Sequence, residues 1–207
     1  MKFLFADSMD YVDPRYNFIT DQFGENREPY WDDSFPHEIM THTPYDGVLI
    51  SRAMVGEPAH PGKYGESLSM RFRRIGAREH LRLTEPRHVN LPIFGDNGAF
   101  SYAHMLNPPY TPNDTVEFYA DGQFTHGCSV DHIIFEFDTL AKGMNGGSDD
   151  SRRRFALTLD LATDFLSESK AIGNPFIPIG VIQGWSPDSL AVSAKSLVSM
   201  GYKYLAI

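Results

Sequence analysis

The sequence predicts an α/β fold of the (β/α)8 barrel type, cut short after about six strands. Three observations lead there. Runs rich in β-branched and aromatic residues alternate with helical patterns along most of the chain. The turns that lead from strand to helix are short and polar, as at Asp96-Asn97-Gly98 and Gln183-Gly184-Trp185-Ser186. No Gly-x-Gly-x-x-Gly follows the first strand, which weighs against a dinucleotide-binding open sheet.

The elements follow in order. Residues 2–7 (KFLFAD) and 46–51 (DGVLIS) read as the first two strands, separated by a long Pro- and aromatic-rich connection with no assignable structure. Residues 65–83 repeat Leu68, Phe72, Ile75 and Glu79/His80 three and four apart, a helical spacing. LPIFGD (91–96) is the third strand. A helix over 111–124 starts with Thr, Asn and Asp capping signals. CSVDHIIF (128–135) supplies the fourth strand. The helix over 149–173 carries one apolar stripe of Phe155, Leu159, Ala162, Phe165 and Leu166. FIPIGVIQG (176–184) is the fifth strand. The helix over 186–201 has Ser186 as N-cap, Pro187 at its first position and Gly201 past its end. YKYLAI (202–207) begins a sixth strand.

Six βα units do not close an eight-stranded barrel. The expectation is therefore a single partial barrel domain over 1–207, truncated or split, with further active-site residues on the strands it lacks. The 207 residues suffice for one core. One cysteine, Cys128, allows neither a disulfide framework nor a Cys-based zinc site, and a reducing, cytoplasmic setting fits. No apolar run approaches the ~20 residues of a membrane span, so no membrane partner is expected. The net charge of −9 argues against a general nucleic-acid coat. Basic residues nevertheless cluster: seven Lys/Arg against three acids from Lys63 to His88, and Arg152-Arg153-Arg154. Such patches can hold phosphates on an otherwise acidic protein, or simply solvate a helix face.

Chemistry in parallel βα folds collects at the carboxyl ends of strands. This chain places Asp7, Arg52, Asp96, Asp131 or Asp138, and Gln183 there. Strand alternation sets Phe94 and Asp96 on one face, and likewise Ile179, Val181 and Gln183. The fourth strand has two conceivable ends, Asp131-His132 if short and Glu136-Phe137-Asp138 if long. The short end matches the third and fifth strands, which also finish on a polar residue after few apolar ones.

These stretches carry a resemblance. GDNGAFSY, GCSVD and GVIQGW…GYKYLAI resemble the tRNA-guanine transglycosylase family. FLFADSMDYVDP, YDGVLISRA, PPYTPNDTVEFY, SVDH and PIGVIQGWSPDS are most similar to its branch that inserts 7-deazaguanine bases into DNA. The resemblance implies a (β/α)8 barrel and an exchange in which guanine leaves its sugar and a 7-deazaguanine derivative takes its place. It implies Asp96 as general acid/base and Phe100 as the aromatic that stacks on the base. Asp131 would bind the guanine edge, with Asp138 the alternative, and Gln183 with Gly184 would be its amide partner. It implies that the nucleophilic aspartate and a zinc site lie on later strands, with no cofactor inside this chain. DNA is the implied polynucleotide, tRNA the alternative, and accessory DNA-modification proteins are further implied partners. Trp185 departs from a family glycine, and Asn97 and Ala99 from a serine and a glycine.

The residue chemistry suits those roles. Guanine's N1–H and exocyclic amine are adjacent donors that one carboxylate can accept, while an amide donates to the ring carbonyl. Phe100 offers a face on which a purine stacks. Arg152, Arg153 and Arg154 could hold flanking phosphates. Two other readings compete: a barrel glycosidase using Asp96 with Glu136 or Asp138, and a non-catalytic subunit that binds a base or nucleic acid. His104, His126 and His132 match no metal-ligand spacing, and Ser186 reads as a cap rather than a nucleophile.

Overall fold

The computed structural model describes residues 1–7 and 9–207. In chain order its elements are β1 (Leu4–Ala6), α1 (Pro36–Ile39), β2 (Gly47–Ser51), α2 (Arg52–Val55), β3 (Gly56–Glu57), β4 (His60–Pro61) and α3 (Gly65–His80). There follow β5 (Ile93–Asp96), α4 (Pro112–Asp121), β6 (His126–Cys128), α5 (Asp149–Ala171), β7 (Ile177–Val181), α6 (Pro187–Met200) and β8 (Tyr204–Ala206).

Six strands form one sheet in the order β1-β2-β5-β6-β7-β8, every pair parallel. Strands that neighbour in this order also follow one another around the sheet, which curls as a half-barrel of the (β/α)8 type. β3 and β4 make a separate two-residue antiparallel ladder.

The pleat divides the apolar residues between two layers. Cys128, Ile179 and Val181 gather on one face with Phe94 and Ala206. Ile93, Val48 and Ile50 face the larger core beneath the helices, with Tyr119, Phe165, Phe176 and Leu197. That larger core depends on α4 lying close to the sheet. A Cβ at Gly95 would fall 2.2 Å from the Tyr119 ring, and one at Gly127 would fall 2.4 Å from it. Only hydrogen at both positions admits the ring.

The caps of α4 and α6 appear as the sequence implies, and α5 has one besides. Thr111 accepts from the Asp114 N–H, Ser148 from Ser151 and Ser186 from Ser189, while Gly201 closes α6 in a left-handed conformation. Three elements differ from expectation. The helix expected over 65–83 is interrupted at Gly76 (φ 79°), where Ala77 N–H turns away to the Gly122 carbonyl. The segment before β2 is ordered, with an antiparallel bridge between Val12 and Ser34. Its Tyr30 ring stacks on His80, whose other face meets Tyr64. Arg27 grips the buried Asp33 carboxylate through two hydrogen bonds, at 2.7 and 2.8 Å.

The third difference concerns the fourth strand, which runs from His126 to Cys128 rather than over 128–135. Beyond it, side chains replace the ladder. His132 N–H donates to Thr158 Oγ1 and Ile134 N–H to Gln183 Oε1, both at 3.0 Å. A backbone whose donors are satisfied this way has left the sheet.

Candidate active site

β5 ends on Asp96, and the chain then turns sharply through Asn97 and Gly98. Gly98 adopts φ 74°, and its N–H donates to Asp96 Oδ2 at 2.8 Å. Burial raises the Asp96 carboxyl above its ordinary value, although the N–H groups of Gly98 and Asn97 oppose the shift. The turn opens into a short 3-10 helix, Ala99–Tyr102, that leaves Phe100 largely exposed and Tyr102 buried.

Asn97 is completely buried. Its Nδ2 donates to the Cys128 carbonyl at 3.1 Å and to the Ser129 carbonyl at 3.0 Å. These two bonds continue the β5–β6 contact past the last paired residues, Gly95 and Gly127. Tyr102 adds a tie from its hydroxyl to the Asp131 carbonyl at 3.2 Å.

Asp131 is buried three residues past β6. Gln183, two residues past β7, donates from Nε2 to Asp131 Oδ2 at 2.7 Å. The same amide accepts the Ile134 N–H at Oε1, so its two ends are not interchangeable. Burial, reinforced by the nearby Asp96 charge, pushes the Asp131 carboxyl up to about 7. With the Asp96 charge acting on Asp131 in a low-dielectric site, the two carboxyls resist being ionised together.

Three of the sequence-derived residues thus converge: Asp96, Asp131 and Gln183. Gly184 adjoins them but faces the first turn of α6, where a Cβ would lie 2.8 Å from the Leu190 nitrogen and from Ser189 Oγ. Asp138 is exposed, and its Oδ1 accepts the Leu140 N–H at 2.8 Å. Asp7 accepts from the Tyr64 hydroxyl at 2.5 Å, and Arg52 is taken up by Thr115 and Glu57.

The arginine run is divided. Arg153 and Arg154 share the Asp150 carboxylate, and Arg154 also reaches His132 Nδ1 and the Ile133 carbonyl. Arg152 is exposed, with its guanidinium against the Gly146 carbonyl. His132 donates from Nε2 to the Met105 carbonyl while Nδ1 accepts from Arg154, leaving neither nitrogen open.

Two residues absent from the sequence-derived set matter for the architecture. Asn97 could be noticed only as a departure from the family pattern. Trp185, another departure, is buried and holds the 138–147 loop: its Nε1 donates to the Asn145 carbonyl, its carbonyl accepts from Asp138 N–H, and a Cβ at Gly147 would strike its ring. Two clefts lie elsewhere. One of about 320 Å³ is lined by Arg52, Glu57, Arg73, Asp114, Glu117 and Asp121. Another of about 440 Å³ borders Thr125, Lys170, Phe176 and Lys203. Neither touches Asp96, Asp131 or Gln183, and the chemistry is placed by the titratable groups among these.

Among curated proteins, the chain is 37% identical to a DNA-guanine transglycosylase of Salmonella montevideo, over the whole chain. That identity, running over the whole chain, supports the guanine transglycosylase family and its DNA-modifying branch. It spans about half (49%) of that relative's length. No family model matches it. Among the described residues, no three His, Cys, Asp or Glu side chains are grouped to hold a metal ion. The zinc site that the resemblance implies is expected on later strands, and no step below is routed through one. Among the described residues no helix is long and apolar enough to cross a membrane.

Proposed function

We propose that this protein belongs to an enzyme that exchanges guanine in DNA for a 7-deazaguanine derivative. The observation that carries the proposal is the joined pair of Asp131 and Gln183, whose amide direction is set by Ile134 N–H. In this reading Asp131 accepts guanine's N1–H and exocyclic amine. Gln183 turns its second N–H toward the ring carbonyl. Phe100 stacks on the ring, and Gly184, by packing against the first turn of α6, positions the adjoining Gln183 amide.

The exchange breaks one C1′–N9 bond and makes another, through an oxocarbenium-like state at C1′. The departing guanine gains a proton and the incoming base gives one up, so the protons balance. Asp96, with its carboxyl raised by burial, is the group suited to carry that proton. The carboxylate that attacks C1′ is assigned to a later strand of the whole protein, as is any zinc.

The target base must leave the duplex stack to reach these groups, at a cost of a few kcal/mol. Arg152 is the member of the arginine run best exposed for a phosphate. The protein would act in the cytoplasm, with accessory DNA-modification proteins as further partners. Support for DNA over tRNA comes from the relative's name and from the branch motifs in the sequence. The test is mass spectrometry of nucleosides from cellular DNA and tRNA, with and without the gene. A 7-deazadeoxyguanosine in DNA that depends on the gene is expected. A change confined to tRNA would move the substrate, and no change in either would overturn the proposal.

A further inference from the structure

We infer that Phe135 is a second base-binding aromatic, which closes with Phe100 on the two faces of the purine. This deepens the base-exchange reading and rests on it. Phe100 is 76% exposed and Phe135 65% exposed, yet their ring centroids lie only 5.8 Å apart, tilted by 55°. Two large rings that meet each other in solvent gain little from the fold, and neither belongs to an apolar core.

Both rings are instead fixed to the polar site by short lengths of chain. Phe100 follows the Asp96-Asn97-Gly98 turn. Phe135 directly follows Ile134, whose N–H holds Gln183, so the backbone that carries the ring is tied to the amide. A flat base between parallel rings needs about 7 Å from ring to ring, two aromatic contact distances. The observed pair is roughly 1 Å closer and tilted, which is the arrangement of a clamp resting on itself. A purine would part the rings slightly and exchange their mutual contact for two stacked faces. Asp131 and Gln183 would then meet its edge.

The sequence hides this residue, because "HIIF" reads as the apolar run of a strand. The structure frees Phe135 from that role by ending β6 at Cys128.

The experiment is a titration of the purified protein with guanine at pH 8, using Phe135→Ala, Phe135→Trp and Phe137→Ala. Phe137 is also exposed, at 55%, and serves as the control for general loss of apolar surface. Phe135→Ala should weaken binding about tenfold, within the range found for losing one stacking partner. Phe135→Trp should bind within about threefold of the parent, and its added fluorescence should be quenched by the base. Unaltered binding by Phe135→Ala, or an equal loss in Phe137→Ala, would overturn the clamp and leave the base-exchange reading standing. A parent protein that binds no guanine would overturn both.

Discussion

The Gln183 amide donates to the Asp131 carboxylate at 2.7 Å, and its carbonyl end accepts the Ile134 N–H at 3.0 Å. This relationship makes the site polar in a defined sense. It presents a carboxylate that can accept two donors beside an amide that can offer one. The complementary ligand has two adjacent donors and an acceptor on one edge, as guanine has.

Such a site carries a stability cost, and the cost has a sign. The Asp131 carboxyl is pushed up to about 7 in the folded protein, mainly by burial. An unfolded aspartate titrates near 3.9. Between those values the folded state holds a proton that the unfolded state has lost, so stability falls as pH rises from about 4 to about 7. Asp131→Asn should therefore stabilise the protein on the order of 2–4 kcal/mol at pH 8. The gain should fade to nothing near pH 4. Urea unfolding across this range checks it, and a pH-independent difference would contradict the assignment.

Asn97 supports the geometry from beneath. Asn97→Ala removes two donors, taking a partner from the buried Ser129 carbonyl and leaving the Cys128 carbonyl to the longer bond from the Tyr119 hydroxyl at 3.3 Å. A loss of about 2–4 kcal/mol is expected. The looser junction should also separate Asp131 from Asp96 and lower the Asp131 titration, read by NMR of the carboxyl carbons. A destabilised variant with an unmoved titration would limit Asn97 to holding the strands together.

Much of this architecture was legible in the sequence. The short polar turns announced strand ends near Asp96 and Gln183, capping residues announced α4 and α6, and an apolar stripe announced α5, because these signals are local. The sequence-derived strand over 128–135 was too long, because Ile133, Ile134 and Phe135 look like a strand to any periodicity. Whether their N–H groups meet a neighbouring strand or the side chains of Thr158 and Gln183 is settled by tertiary contact. The same holds for the arginine run, whose charge was visible but whose partner Asp150 divides it. The role of Asn97 depends on carbonyls thirty-odd residues away, and no local pattern encodes it.

The approach of α4 to the sheet gives a steric prediction. Gly127→Ala would drive a methyl group into the Tyr119 ring, at 2.4 Å from its nearest atom. A loss of about 2–3 kcal/mol is expected, typical of overpacking in a core. Tyr119→Leu should offset part of that loss in the double variant, so the two effects will not add. Strictly additive losses in thermal unfolding would contradict the contact.

Arg152 offers a test of the polynucleotide surface that leaves the fold alone. Its guanidinium is exposed and touches only the Gly146 carbonyl among the hydrogen-bond partners seen. Arg152→Ser should weaken DNA binding and reduce the slope of log affinity against log salt by about 1. Arg154 would be a poor substitute in this test, since it also holds Asp150 and His132. An unchanged slope would remove this arginine from the DNA path.

The central claim, that the joined Asp131 and Gln183 read a guanine edge, is tested most directly by calorimetric titration. The protein and its Asp131→Asn variant would be titrated with guanine and with hypoxanthine, which lacks the exocyclic amine. At pH 8 the parent should bind guanine at least about tenfold more tightly than hypoxanthine, the cost of an unpaired acceptor. Parent affinity should fall as pH drops below about 7 and Asp131 takes up a proton. The Asn variant should lose both the preference and the pH dependence while remaining folded. Equal guanine binding by parent and variant would contradict the claim and move base recognition away from Asp131.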